Sequence, residues 1–275
     1  MTSRWPFYLG LAILAVMLVA ALAAGWLSPH DPYAQSLVRR LRPPAWEPRG
    51  SWTYPLGTDA FGRDTLSRLI HGARISLIVG AGGAVLAGLI GGTLGLVAGY
   101  AGGWVDRAIS MVIATRLALP ALLVALALLQ VIGSGLWVVV LVLGITVWDR
   151  FAVVMRTATA QVAVRDYVTR AEALGCSHAH ILLREVFPNV ASQFAVIFTF
   201  ECAQCILAAA ALSFLGLGIQ APEPSWGLMM AEGRRFISSD PWQIGFAGAA
   251  LMLLVLAINL VGDGIRDRLA PDMPR

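Results

Sequence analysis

The stretch ISLIVGAGGAVLAGLIGGTLGLVAGY, residues 75–100, carries no charged side chain and exceeds the roughly 20 helical residues needed to cross a hydrocarbon core. Glycines recur in it at helical spacing: Gly88 with Gly92, and Gly91 with Gly95 and Gly99. Small residues four apart let a second membrane helix approach closely, so that packing replaces the missing hydrophobic drive. A dinucleotide-binding fingerprint is the competing interpretation, but Gly80, Gly82 and then Val85 break the G-x-G-x-x-G pattern, and no strand precedes it. The stretch predicts a closely packed membrane-spanning helix.

Working outward, five further apolar runs cover residues 7–27, about 111–132, 136 to about 154, 193–212 and 244–261. Together they predict an all-α polytopic membrane protein with about six transmembrane helices. The composition agrees, with 58% hydrophobic and 13% charged residues and a mean hydropathy of +0.74. A soluble domain carries roughly 25% charged residues, so an ordinary water-soluble enzyme is excluded. Run 7–27 exceeds the 7–15 apolar residues of a cleaved signal peptide, which favours an uncleaved anchor. Pro120 lies inside the run at 111–132 and predicts a kink there, since neighbouring helices can satisfy the freed carbonyl.

The formal charge is +4, and all 20 basic residues are arginines scattered along the chain. No basic run exceeds a pair such as Arg39 and Arg40, so a nucleic-acid partner, which would want a basic face or stripe, is set aside. Cys176, Cys202 and Cys205 are too few for a disulfide framework. Cys202 and Cys205 form a C-x-x-C in mid-span, where free cysteines behave as small hydrophobes. His178 and His180, two apart, point to different sides of a helix, and no metal site is expected.

Residues 30–74 are polar and rich in Pro and Arg. Asp59 with Arg63 and Asp64 with Arg68 are acid-first i,i+4 pairs that predict a short helix on the membrane surface. The alternative is an irregular loop, because Gly57 and Gly62 weaken a helix. Arginine counts nearly cancel between the two sides, so the Arg-rich loop 156–184 decides the orientation. It should face the cytoplasm, with both termini on the same side. That loop has its own architecture: a helix through Leu174 stops at Gly175, Ser177 caps a second helix, and Pro188 opens the next span. A surface for a cytoplasmic protein fits it better than DNA binding, because both of its ends are tethered to the bilayer.

Within the spans, Glu201 is the residue whose placement asks for a reason, since intramembrane carboxylates face a cavity or a partner. With Gln204, Asn259 and Gln130 it could line a polar path; the alternative is a protonated carboxyl acting as helix glue. A Walker A loop needs a lysine, and this chain has none, so any ATP hydrolysis must occur in another subunit. A membrane enzyme would have to use Glu201, Asp149 or the histidines, which form no paired constellation at workable spacing. A purely structural membrane protein is the third class.

Four blocks resemble a known family: LGTDAFGRD at 56–64, the loop 167–189, LSFLGLG at 212–218 with PSWG at 224–227, and NLVGDGIRD at 259–267. They are similar, in the same order, to the C-type permease subunits of ABC importers for dipeptides, oligopeptides and nickel. The resemblance implies a type I ABC importer permease-like fold. Residues 1–74 would be an anchor span with an extracytoplasmic segment, and residues 75–275 a five-span core with a coupling loop at about 157–188. It also implies a second permease subunit, two cytoplasmic ATPases that bind ATP and Mg, an extracytoplasmic solute-binding protein, and a bacterial plasma membrane location. No cofactor is expected on this chain and no catalytic residue. Ala171 and Gly175 fall on the Ala and Gly positions of the coupling motif, with Leu174 and Pro188 beside them. Thr169 stands at its usual Glu position, Arg170 replaces a usual Ala, and Glu172 and Glu185 stand where a basic residue or His is common. Ala209 replaces a frequent Glu, eight residues after Glu201. Peptide, nickel and other small-solute variants share these blocks.

Overall fold

Helix α2, Thr65–Ala101, is the axis on which the others are assembled. The computed structural model describes residues 5–269. Asp64 caps α2 by accepting from the Ser67 backbone N–H at 3.0 Å and the Ser67 hydroxyl at 2.6 Å, which satisfies donors that a helix start leaves orphaned. With 37 residues α2 is about 55 Å long, well beyond the roughly 30 Å of hydrocarbon, so its ends project from the bilayer.

The glycine stripe of α2 meets two neighbours. Gly91, Gly95 and Gly99 lie against α6, Trp148–Ala163. A Cβ on Gly95 would stand 2.6 Å from the Ala152 carbonyl oxygen, one on Gly99 2.5 Å from that of Arg156, and one on Gly91 would strike that of Trp148. Gly88 and Gly92 instead face the Phe194 ring of α8, Phe187–Phe214, at 3.0 and 3.1 Å. Backbone-to-backbone contact on one face and an aromatic ring on the next both need the missing side chain. Below the stripe, Val79 of α2, Leu143 of α5 (Leu136–Thr146) and Cys205 and Leu212 of α8 share a fully buried apolar cluster.

Among the described residues, five helical runs are long and apolar enough to span: Trp5–Leu22 (α1), Thr65–Ala101, Leu136–Ala163 (α5 with α6), His178–Phe214, and Trp242–Arg268 within α10, Trp242–Leu269. A sixth is a bent pair, α3 (Gly103–Leu117) and α4 (Ala121–Ile132), which turn 82° at their break. The kink expected inside 111–132 is therefore a full break. Pro120 disfavours helical backbone at Leu119 and donates no hydrogen bond. The Arg116 guanidinium then holds the corner, donating to the Leu119 carbonyl at 2.9 Å and to that of Thr146 at the end of α5. With 12 residues α4 reaches about 18 Å and cannot cross alone.

Pro188 stands in the first turn of α8, as expected, but α8 prolongs an earlier helical run. The helical run His178–Phe214 continues through it, with a π-turn at Ile181–Val186 immediately before. A proline ring crowds the carbonyl four residues back, and a wider turn relieves that crowding. The Asn189 amide donates to the Glu185 carbonyl at 2.6 Å within this turn.

The first helix packs on α10, where Gly10 leaves room for Leu260 and Gly264 for the Phe7 ring. Helix α9, Trp226–Gly233, sits against α2: the buried Trp226 indole donates to the Leu69 carbonyl at 3.0 Å, over Gly72. No surface helix forms at 59–70. Asp59 accepts from the backbone N–H of Phe61 at 2.8 Å and of Arg63 at 2.9 Å, making a turn, and Gly62 takes φ +74° with the Ser36 carbonyl against it. A helix would need that carbonyl's space and the capping oxygens of Asp64, so α2 starts only at Thr65.

Candidate functional site

The segment between α6 and α8 is built from a helix, a tight turn and a second helical start. Helix α7, Asp166–Ala173, holds its inner face with the buried Val168, which packs with Ile181, Val186 and Val190. It stops because Gly175 adopts φ +78°, and the turn makes both bonds of a Schellman motif: Cys176 N–H to the Ala171 carbonyl at 3.1 Å and Gly175 N–H to that of Glu172 at 2.9 Å. Ser177 then caps the next helical run, accepting from the His180 N–H at 3.3 Å. Nothing lies within 4 Å of a Cβ built on Gly175, so its requirement is backbone conformation and not space. The tip is apolar and bare: Leu174 is 83% exposed and Leu183 67% exposed. Ala171, by contrast, is half-buried against the inner cluster, and Pro188 is the second residue of α8.

At membrane depth the anticipated polar residues do not converge. Glu201 is fully buried on α8; one carboxylate oxygen meets Arg150 Nη1 at 3.5 Å and the other has no partner. Gln204, one turn on, lines a hollow of about 490 Å³ with Arg116, Asp149 and Arg150. Asn259 lines a different hollow of about 560 Å³ between α8 and α10, with Thr199 and Asp263. Gln130 is exposed near the end of α4. Cys202 and Cys205 are buried in the packing of α8, and among the described residues no three His, Cys, Asp or Glu gather as metal ligands would.

Comparison with known proteins identifies the family. A family model described as binding-protein-dependent transport system inner membrane component matches residues 91–275. A second, described as the N-terminal TM domain of oligopeptide transport permease C, matches residues 4–44. The chain belongs to this transport-permease family. The dipeptide transport system permease protein DppC of Escherichia coli (strain K12) is 40% identical over 264 residues, 96% of this chain and 88% of that protein. The di/tripeptide transport system permease protein DppC of Pseudomonas aeruginosa (strain UCBPP-PA14) is 39% identical, covering 96% and 87%. The dipeptide permease DppC of Alkalihalophilus pseudofirmus is 37% identical, covering 96% and 85%.

The chain is thus a multi-pass inner-membrane permease, a transport subunit and not an enzyme, working as one component of a transport complex. In the permease, the loop positions that depart from the family motif are mostly at the surface. Thr169 and Arg170 are exposed, whereas the Glu172 carboxylate accepts from the Tyr100 hydroxyl at 2.8 Å and so ties α7 to the end of α2.

The expected Asp59–Arg63 pair forms, but it belongs to a larger charged cluster, the densest among the described residues, that its local spacing did not announce. Arg63 Nε donates to Asp59 at 2.6 Å and its Nη2 to Glu232 at 2.8 Å; Arg68 donates to the same Asp59 and, at 2.8 Å, to Glu232. Arg63, Arg68 and Asp59 are buried, which for charged groups requires pairing. The expected Asp64–Arg68 pair is replaced by these contacts. Glu232 lies on α9, 164 and 169 residues from its partners, and local spacing gives no signal for such a pair.

Proposed function

We propose that this chain is one of two permease subunits of an ATP-driven importer of di- and oligopeptides. It forms half of the translocation path and couples to a cytoplasmic ATPase, with two such ATPases holding ATP and Mg and an extracytoplasmic binding protein delivering the solute. The observation that carries the coupling role is the bare apolar tip at Leu174, set by the Gly175 turn and backed by Ala171. It offers a rigid, short and exposed helix of the kind that can seat in a groove on a partner. Peptide as the solute is supported by the relatives, which are named as dipeptide and di/tripeptide permeases. The absence of lysine from the sequence supports hydrolysis in separate subunits.

In this arrangement both termini are cytoplasmic. Residues 1–74 comprise the anchor and an extracytoplasmic segment, and residues 75–275 the core, with the loop at 157–188 at the ATPase. Gln204 lines the path side of α8, with Glu201 buried one turn before it against Arg150, while Asn259 lines the separate hollow near α10.

The test pairs two measurements. The cognate binding protein should gain thermal stability with di- or tripeptides, since a ligand bound only by the folded state raises stability with its concentration over Kd. The permease should co-purify with its ATPase in a Gly175-dependent way. A binding protein stabilised by nickel alone, or an ATPase that co-purifies equally with Gly175→Val, would overturn the reading.

A further inference from the structure

Arg150 is near the middle of the helical run Leu136–Ala163, about 21 Å from its first residue. A guanidinium at that depth faces a partner or a water-filled cavity. Here it does both: Arg150 contacts the buried Glu201 through one long 3.5 Å hydrogen bond, and its side chain stays 50% exposed, lining the hollow of about 490 Å³. Among the described residues its one other polar or aromatic contact is the Phe200 ring, whose centroid lies 5.7 Å from the guanidinium carbon. The second cation of the hollow is already committed, because Arg116 is spent on the carbonyls of Leu119 and Thr146. Thr146, Asp149 and Gln204 complete the polar lining, and the remaining wall is apolar. The volume is in the range of small-molecule sites, which pair an apolar lining with a few placed polar groups.

Most donors of the Arg150 fork therefore have no acceptor, in a hollow at bilayer depth that also presents a carboxylate from the next residue. Guanidinium groups match carboxylates with two parallel hydrogen bonds. We infer that Arg150 is a transit contact for the carboxylate of the solute, with Glu201 holding the guanidinium in place from behind and Asp149 presenting the opposite charge to the solute's ammonium. The site assigns the path wall to the corner where α4 departs from α3 and crosses beside α5 and α8. This rests on the proposed peptide import and adds to it the groups that touch the solute inside the membrane.

The test uses the complete reconstituted importer with its binding protein and labelled alanyl-alanine as the probe, reading uptake, basal ATP hydrolysis and recovery of the complex for each variant. Arg150→Gln should lower maximal uptake about tenfold, while basal hydrolysis and the half-saturating concentration of loaded binding protein stay as in wild type. Arg150→Lys, which keeps the charge but not the fork, should fall between the two. If Arg150 served only to neutralise Glu201, the double variant Arg150→Gln/Glu201→Gln would restore uptake; under the proposal it stays as low as Arg150→Gln. Restored uptake in the double variant, undiminished uptake in Arg150→Gln, or loss of the second permease from the Arg150→Gln complex would each overturn the proposal. Absence of alanyl-alanine uptake by the wild-type complex is a distinct result and refutes the peptide reading itself.

Discussion

Leucine at position 95 would press a branched side chain into the Ala152 carbonyl, 2.6 Å from where its Cβ must stand. Overpacking of this kind costs about 1–3 kcal/mol, and here backbone must move, so Gly95→Leu should lower the melting temperature of the purified permease by several degrees. Gly245→Ala on α10, where nothing lies within 4 Å, should leave it unchanged or slightly raised. Equal effects at the two positions would refute the close approach of α2 and α6. At the charged locus, Glu232→Ala leaves Arg63 and Arg68 sharing Asp59 alone. Breaking a buried ion pair by removing one partner costs about 3–5 kcal/mol, so this variant should be among the least stable single substitutions, measured by the same thermal unfolding. A melting temperature like that of wild type would show that the cluster is solvated. The two sites differ in legibility. The glycine pattern is periodic and local, so it could be read before any neighbour was known. The Glu232 pairing is neither, because it joins a turn before α2 to a helix near the far end of the chain.

The turn at Gly175 joins two helical elements and sets the direction of both. A β-branched residue is strained at φ +78°, so Gly175→Val should tilt α7 away from the following helix without touching a span. Membrane abundance should be retained, while ATPase co-purification and solute uptake are lost; normal uptake would remove the coupling role. Caps and stops of this kind were legible, since Ser177 and Gly175 act through their own backbone neighbours. Element boundaries set by tertiary contact were not. Pro120 announced a disturbance, but the 82° angle depends on Arg116 reaching the Thr146 carbonyl at the end of another helix. Pro188 looked like a helix start because proline favours first turns, and the π-turn that carries the helix through it leaves no mark in composition. The acid–base spacings at 59–68 matched a helix by number alone, while the side chains closed a turn and a cap.

For the whole molecule, hydropathy and span count were legible because a bilayer demands long uncharged helices whatever their packing. The convergence of polar groups into one path was not, since Gln204 on α8 and Asn259 on α10 line different hollows. The proposed orientation predicts that, in intact cells, an impermeant thiol reagent labels a single cysteine at Ser36 and spares one at Thr169; the reverse pattern would invert the topology. The central claim is that this permease moves peptide only as part of an ATP-driven complex. The direct measurement is uptake of a labelled dipeptide into vesicles containing the purified permease pair, with and without the ATPases and the loaded binding protein. The account predicts ATP-dependent accumulation in the complete complex, and neither uptake nor ATP hydrolysis by this chain alone. Accumulation without the ATPases, or hydrolysis by the isolated chain after contaminating ATPases are removed, would contradict it.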